Sequence, residues 1–98
     1  MKIVINKCWG GFNLSTAGEA EFLRRGGATA DYWEIERTDP ILVEMVEEDS
    51  SLYSGDSARL SVVEIPDGVE WYIHAYDGQE HVAQKHRTWA ELVSCFSC

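Results

Sequence analysis

Apolar and polar residues alternate most regularly in two runs, Val69–Tyr76 and Gln79–Lys85. Alternation with a period of two is typical of β-strands that bury one face. The runs are separated by Asp77 and Gly78, a dipeptide that favours a type I′ turn because both residues tolerate positive φ. The pattern therefore predicts a β-hairpin whose register is set by a two-residue loop. The apolar face of this hairpin consists of Trp71, Ile73, Ala75 and Val82.

The other face of the predicted hairpin is polar and places His74 directly opposite His81. Residues paired in this way have Cβ atoms about 4.5–5.5 Å apart. Two imidazoles at that separation can bind a metal ion or influence each other's titration. A pair of strand histidines is more commonly an ordinary polar surface, so we assign no metal site from this pattern.

Two segments have the apolar spacing of helices. The first, Thr16–Arg25, follows Ser15, whose hydroxyl is suited to cap a helix, and it is stopped by two glycines. The second, Asp39–Asp49, begins with an acidic N-cap residue followed by Pro40 at the first helical position. Its apolar side consists of Ile41, Leu42, Met45 and Val46.

Shorter runs complete the expected fold. Lys2–Asn6 and Arg59–Ile65 are rich in β-branched residues and predict strands, and Tyr32–Ile35 is either a short strand or an extended linker. Ser50–Ser57 is polar and contains glycine, which indicates a loop. We expect a single α+β domain over residues 1–98, with two helices packed on an antiparallel sheet of three to four strands. Residues 90–98 are expected to form a loosely ordered tail.

Composition narrows the class of protein. The chain has 98 residues, of which 45% are hydrophobic, and this is enough to build a core. No apolar run approaches the roughly 20 residues that span a bilayer. Three cysteines, an odd number, argue against a disulfide scaffold, so we expect an intracellular protein.

The negative charge is concentrated in one part of the chain. The net charge is −9, and residues 31–56 contain nine acids against Arg37 alone. Such a field repels phosphates, so direct binding of DNA or RNA is not expected. It attracts basic protein surfaces, although an acidic surface also serves to keep a small protein in solution.

The helix predicted over Asp39–Asp49 ends in acids, where the helix dipole favours basic residues. One explanation is that water solvates these acids. The other is that they form a surface that binds a basic partner. Near the end of the chain, Arg87 and Trp89 combine a planar donor with a large apolar face, a pair common at interfaces. The structural alternative is that Trp89 closes the edge of the core. The candidate partner-binding residues are Asp39, Glu44, Glu47, Glu48, Asp49, Arg87 and Trp89.

Motifs of catalysis and metal binding are weak. The sequence has no GxSxG, P-loop, Rossmann or HExxH motif, and a Cys8–His86 nucleophile pair has no spacing to support it. The Cys95-x-x-Cys98 pair stands alone, without the second pair of ligands that a zinc site needs. We therefore expect neither an enzyme nor a bound cofactor or metal.

Three stretches resemble a family of small proteins from bacteriophages, prophages and bacterial genomes. They read KIVINKCWGGFNLS, RTDPILVEMVEE and VVEIPDGVEWYIHAYDGQEHVAQKHRTW, and the resemblance spans residues 2–89. His81 departs from the family pattern, which has an aromatic residue there. The family implies no catalytic residue, but its context implies a protein that inhibits a host protein. Anti-CRISPR proteins are one such class, and the expected partner is a defence protein with a basic, nucleic-acid-binding surface in the host cytoplasm.

A second function stays open at this point. Glycine amides beside basic side chains can hold phosphates, so the chain is also a candidate to bind a small molecule or to sequester a signalling nucleotide. The residues of that site are Lys7, Gly10, Gly11 and Arg87. A homo-oligomer is also open, because four tryptophans and an edge strand leave apolar surface to cover.

Overall fold

The computed structural model describes residues 1–84 and 87–89, with side chains through residue 83. It is an α+β fold, as predicted. In the described part of the chain, no helix is long and apolar enough to cross a membrane. The elements are β1 (Lys2–Asn6), α1 (Thr16–Arg24), a short 3-10 helix (Tyr32–Glu34), α2 (Pro40–Tyr53), β2 (Leu60–Glu64), β3 (Tyr72–Tyr76), β4 (Gln79–Gln84) and β5 (Arg87–Trp89).

The strands divide into two antiparallel sheets, where the sequence predicted one. β1 pairs with β2, and the hairpin β3–β4 continues into β5 as a separate three-stranded sheet. The predicted hairpin register is confirmed, because Tyr76 pairs with Gln79 and His74 pairs with His81. Asp77 and Gly78 have φ of 56° and 85°, as a type I′ turn requires.

β1 is buried on both faces, and this explains the two sheets. Val4 packs into a core with residues of α1, α2 and β2, whereas Ile3 and Ile5 pack on the opposite side against Val82 of the hairpin. The β1–β2 sheet is therefore a middle layer between the helices and the second sheet. A strand covered on both sides reads as a continuous apolar run instead of an alternating one, as KIVIN does.

Both predicted helix starts are confirmed. The Ser15 side chain accepts a hydrogen bond from the Gly18 amide at 2.9 Å, and Asp39 accepts one from the Ile41 amide at 2.8 Å. Gly18 also allows α1 to lie close to α2, since a Cβ there would sit 2.7 Å from the Tyr53 carbonyl oxygen. Its cost in helix propensity is offset by this contact.

Three predicted boundaries are wrong. Tyr32–Ile35 is neither a strand nor a linker, because Tyr32–Glu34 forms a 3-10 turn. The loop predicted from Ser50 begins too early, since α2 continues to Tyr53 after a kink at Asp49, whose carboxylate accepts a hydrogen bond from the Leu52 amide. β3 begins at Tyr72 instead of Val69, although Val69 and Trp71 still pack against the second core. In the second case side-chain hydrogen bonds to the backbone override the residue pattern.

Asn6, the last residue of β1, joins the two sheets. Its side chain is fully buried, donates to the carbonyl oxygens of Cys8 and Gly78, and accepts from the amides of Cys8 and Arg59. Its own amide donates to the Glu80 carboxylate at 2.8 Å. A buried amide with all of its hydrogen bonds made fixes the hairpin tip on β1.

Candidate functional site

Two of the acids predicted for partner binding on α2, Glu44 and Glu48, lie around one arginine. Arg25, at the end of α1, has a side chain only 16% exposed, and it forms ion pairs with Glu44 at 2.7 Å and Glu48 at 2.8 Å. It also pairs with Glu21 of its own helix at 2.6 Å. The sequence pattern missed this arrangement, because Arg25 comes from a different helix and reaches α2 only through the α1–α2 packing.

These contacts shift the ionisation of the carboxyl groups. Hydrogen bonds from Arg24 and Arg25 lower the pKa of Glu21 to about 2. The hydrogen bond from Arg25 lowers the pKa of Glu48, and the same carboxylates raise the pKa of Arg25. All of these groups are therefore charged at neutral pH, and opposite charges lie side by side on this face.

The remaining acids predicted on α2 also have partners within the chain. Glu47 pairs with Lys2 of β1 at 2.8 Å. The carboxylates of Asp39 and Asp49 accept hydrogen bonds from backbone amides, one at the start of α2 and one at its kink. The structure thus brings the predicted acids onto one helix, but it also supplies each of them with a donor. Much of their field is compensated locally.

A group of acids without such compensation lies just before α2. Asp31, Glu34 and Glu36 are exposed, and within the described residues none of them forms an ion pair. Arg37, next to them in the sequence, turns away and pairs with Glu80 of β4 at 2.7 and 3.0 Å. We refer to residues 31–36 as the Trp33 segment.

Trp33 itself is 68% exposed in the middle of this segment. Its neighbours Tyr32 and Ile35 face inward and pack on the first core, so Trp33 and the acids face solvent together. Such a segment offers a large apolar face with exposed carboxylates close to it in the sequence, which suits a Lys or Arg side chain of a partner. The charge count indicated the acids of this segment, but no periodic pattern indicated that Trp33 is left outside the core.

A series of ring contacts connects Trp33 to Tyr32, Phe12 and Arg37. The Tyr32 ring meets the Trp33 ring edge-on with centroids 5.0 Å apart, and Tyr32 also contacts Phe12 at 6.2 Å. The Arg37 guanidinium lies 3.7 Å above the Phe12 ring while it binds Glu80. These contacts connect the Trp33 segment to the hairpin and hold its backbone in place.

The predicted anchor pair is described in part. Arg87 and Trp89 belong to β5, where Arg87 pairs with Gln84 and Trp89 pairs with Val82. Their side chains, as well as His86, Cys95, Cys98 and the predicted tail at 90–98, lie outside the described residues. The role of Arg87 and Trp89 at an interface stays a prediction.

The glycine turn of the alternative ligand site is part of the packing. The Gly10 amide donates to the Ser57 carbonyl oxygen at 2.7 Å, and a Cβ on Gly10 would sit 2.3 Å from that oxygen. Gly11 has φ of +83°, a conformation that glycine adopts most readily. The Lys7 backbone amide donates to the Arg59 carbonyl oxygen at 2.9 Å. The turn therefore already uses the Gly10 amide that a phosphate would need.

His74 and His81 lie opposite each other as predicted, with ring centroids 4.8 Å apart and planes inclined by 42°. Burial, and then the nearby His74, lower the pKa of His81. Among the described residues, no group of three or more His, Cys, Asp or Glu side chains is arranged to hold a metal ion.

The chain matches no protein-family model, no curated protein and no solved structure. The resemblance of residues 2–89 to the phage and prophage family therefore stays a prediction.

Proposed function

We propose that this protein binds a basic surface of a host protein and inhibits it. In this proposal it acts in the host cytoplasm as an anti-defence inhibitor of the anti-CRISPR kind, encoded by a phage or prophage. The support is the net charge of −9 together with exposed Trp33, whose neighbouring acids form no ion pair in the part of the chain that the structure describes.

The Trp33 segment is the observation that carries the proposal. Trp33 leaves most of its apolar surface in water, which is unfavourable by about 25 cal/mol for each Å². Trp is among the residue types that contribute most to protein–protein binding energy when they become buried. Because the Tyr32 ring already contacts the Trp33 ring, the Trp33 side chain loses less conformational entropy when it binds a partner.

The acids and Trp33 have separate roles in this proposal. The acids of residues 31–56, those of α2 included, attract a basic partner over distances up to about 10 Å at moderate salt. Contact is then made at Asp31, Glu34 and Glu36, which form no ion pair within the described residues. The paired acids of α2 contribute less, because a partner would have to displace Arg25 or Lys2 from them.

Two charge-matched triple variants test this division. Asp31→Asn/Glu34→Gln/Glu36→Gln and Glu44→Gln/Glu47→Gln/Glu48→Gln each remove three negative charges, one set from the Trp33 segment and one set from α2. Affinity capture from host lysate with the wild-type chain identifies the partner. Binding of the purified partner is then measured by calorimetry at several salt concentrations, and inhibition is measured on the partner's own activity.

We expect the Trp33-segment triple variant, and separately Trp33→Ala, to weaken binding at least tenfold, about 1.4 kcal/mol or more. The α2 triple variant should weaken binding less. Circular dichroism checks that each variant folds, and Trp33→Ala should fold normally because its side chain is exposed. If all of the variants bind the partner as tightly as the wild type does, the proposed surface is refuted. A nucleotide or other small molecule released from denatured protein, detected by mass spectrometry, would favour the alternative function instead.

A further inference from the structure

The solvent-facing side of the β3–β4 hairpin carries a pair of imidazoles that the proposed function does not use. His74 of β3 is exposed and His81 of β4 is partly exposed, and the two are direct partners in the register. They share this face with exposed Tyr72 and Tyr76, whereas Glu80 points to the other side and binds Arg37. The pair is therefore open to solvent and to small solutes.

The separation of the two rings matches that of two imidazoles on one metal ion. A histidine nitrogen bound to zinc lies about 2.0–2.1 Å from the metal, so the ring centre lies roughly 3.2 Å from it. Two ring centres at that distance from a common ion and 4.8 Å apart subtend an angle of about 97° at the ion. This angle lies between the values for adjacent ligands in square-planar and tetrahedral geometry, about 90° and 109°.

We propose that His74 and His81 together bind one divalent transition-metal ion on the outer face of the hairpin, with water molecules completing its coordination. Neutral imidazole is a good ligand for Cu²⁺, Ni²⁺ and Zn²⁺, and affinity among these ions is highest for Cu²⁺. The two ligands come from adjacent strands of a register fixed by the Asp77-Gly78 turn. The site is therefore largely formed before the ion arrives, which lowers the entropic cost of chelation.

Three single substitutions test this site. His74→Gln and His81→Gln each remove one ligand, and His86→Gln removes the third histidine of the chain as a control for non-specific binding. All are made in a full-length background in which Cys8, Cys95 and Cys98 are replaced by serine, so that thiols do not bind or reduce the metal. NiCl₂ is titrated by calorimetry at pH 7.5, and the Cu²⁺ complex is recorded by electron paramagnetic resonance.

We expect one ion per chain in the background protein and in His86→Gln, with a Cu²⁺ spectrum that shows two nitrogen ligands. His74→Gln and His81→Gln should each weaken Ni²⁺ binding at least about tenfold, since a single imidazole forms no chelate. Because both histidines reach solvent, these variants should keep the wild-type circular dichroism spectrum. The proposal is overturned by wild-type-like binding in both His74→Gln and His81→Gln, or by no binding in the background protein.

Discussion

Replacing Asn6 with alanine is expected to destabilise the protein strongly, although the side chain that is lost is small. Asn6 makes four side-chain hydrogen bonds, all to backbone atoms, and it is completely buried. The partners come from three places: the turn at Cys8, the hairpin tip at Gly78, and the entry to β2 at Arg59. The substitution leaves two amides and two carbonyl groups without this partner.

A typical intramolecular hydrogen bond contributes about 1 kcal/mol net, and a buried group left unpaired costs about 1–3 kcal/mol. Four such groups, some of which gain access to water after the truncation, give an expected loss of roughly 4 kcal/mol in the free energy of unfolding. This is a large fraction of the roughly 5–15 kcal/mol that stabilises a small domain. Urea unfolding, followed by the fluorescence of the tryptophans, measures the loss.

Asn6→Asp is the matched control, because it keeps the size of the side chain and one acceptor oxygen. The other oxygen then faces the carbonyl oxygens of Cys8 and Gly78, where the amide group donated at 2.6 and 2.7 Å. Burial and this repulsion favour the protonated carboxyl group, so its pKa should rise on folding. The loss in free energy of unfolding caused by Asn6→Asp is therefore complete above the raised pKa and shrinks as the pH falls below it. The loss caused by Asn6→Ala should not change with pH in this way.

If the free energy of unfolding of Asn6→Ala lies within about 1 kcal/mol of the wild-type value, the four hydrogen bonds are not what connects the two sheets. Identical pH dependence of the two variants would show that the introduced carboxyl group escapes to solvent. Either result would contradict the account of Asn6 as a buried connection.

Two further predictions concern single groups. The pKa of Glu21 is lowered from 4.5 to about 2, so its contribution to stability is complete above pH 4.5 and is lost as the pH falls toward 2. Carbon-detected NMR titration should show this midpoint, and Arg25→Met should raise it; a wild-type midpoint near 4.5 would contradict the ion-pair geometry. Gly78→Ala and Gly68→Ala introduce a Cβ at nearly equal φ of +85° and +84°, but only at Gly78 does it collide, 2.1 Å from the Trp9 carbonyl oxygen. Gly78→Ala should therefore cost about 1–3 kcal/mol more in thermal or urea unfolding, and equal costs would refute the close approach.

Local elements were predictable because their signals are local. The Asp77-Gly78 turn fixed the hairpin and its register, and Ser15 and Asp39 marked the starts of both helices. The end of α2 was missed because polar residues in Ser50–Tyr53 look like a loop. The hydroxyl groups of Ser50 and Ser54 instead bind the backbone, and the carboxylate of Asp49 caps the turn after the kink.

The candidate site was predictable only as a region. Composition placed the acids between residues 31 and 56, and this is where the exposed acids of the Trp33 segment lie. Which of these acids remain uncompensated depends on Arg25 and Arg37, whose partners are 19 and 43 residues away in the sequence. Ion pairs at such separations follow from packing and leave no periodic signal.

The sequence by itself determined the starts of the helices and the hairpin, since these depend on residues within a few positions of one another, and it determined the sign of the charge, which depends on composition alone. Tertiary structure decided that the β1–β2 sheet is the middle layer between the helices and the second sheet, and that Asn6 connects the two sheets. It also decided that Arg25, at the end of α1, compensates Glu44 and Glu48 of α2, whereas Trp33 and its neighbouring carboxylates stay exposed. The physical reason is that burial and charge pairing depend on which elements meet in space, and this is settled only when the whole chain has packed.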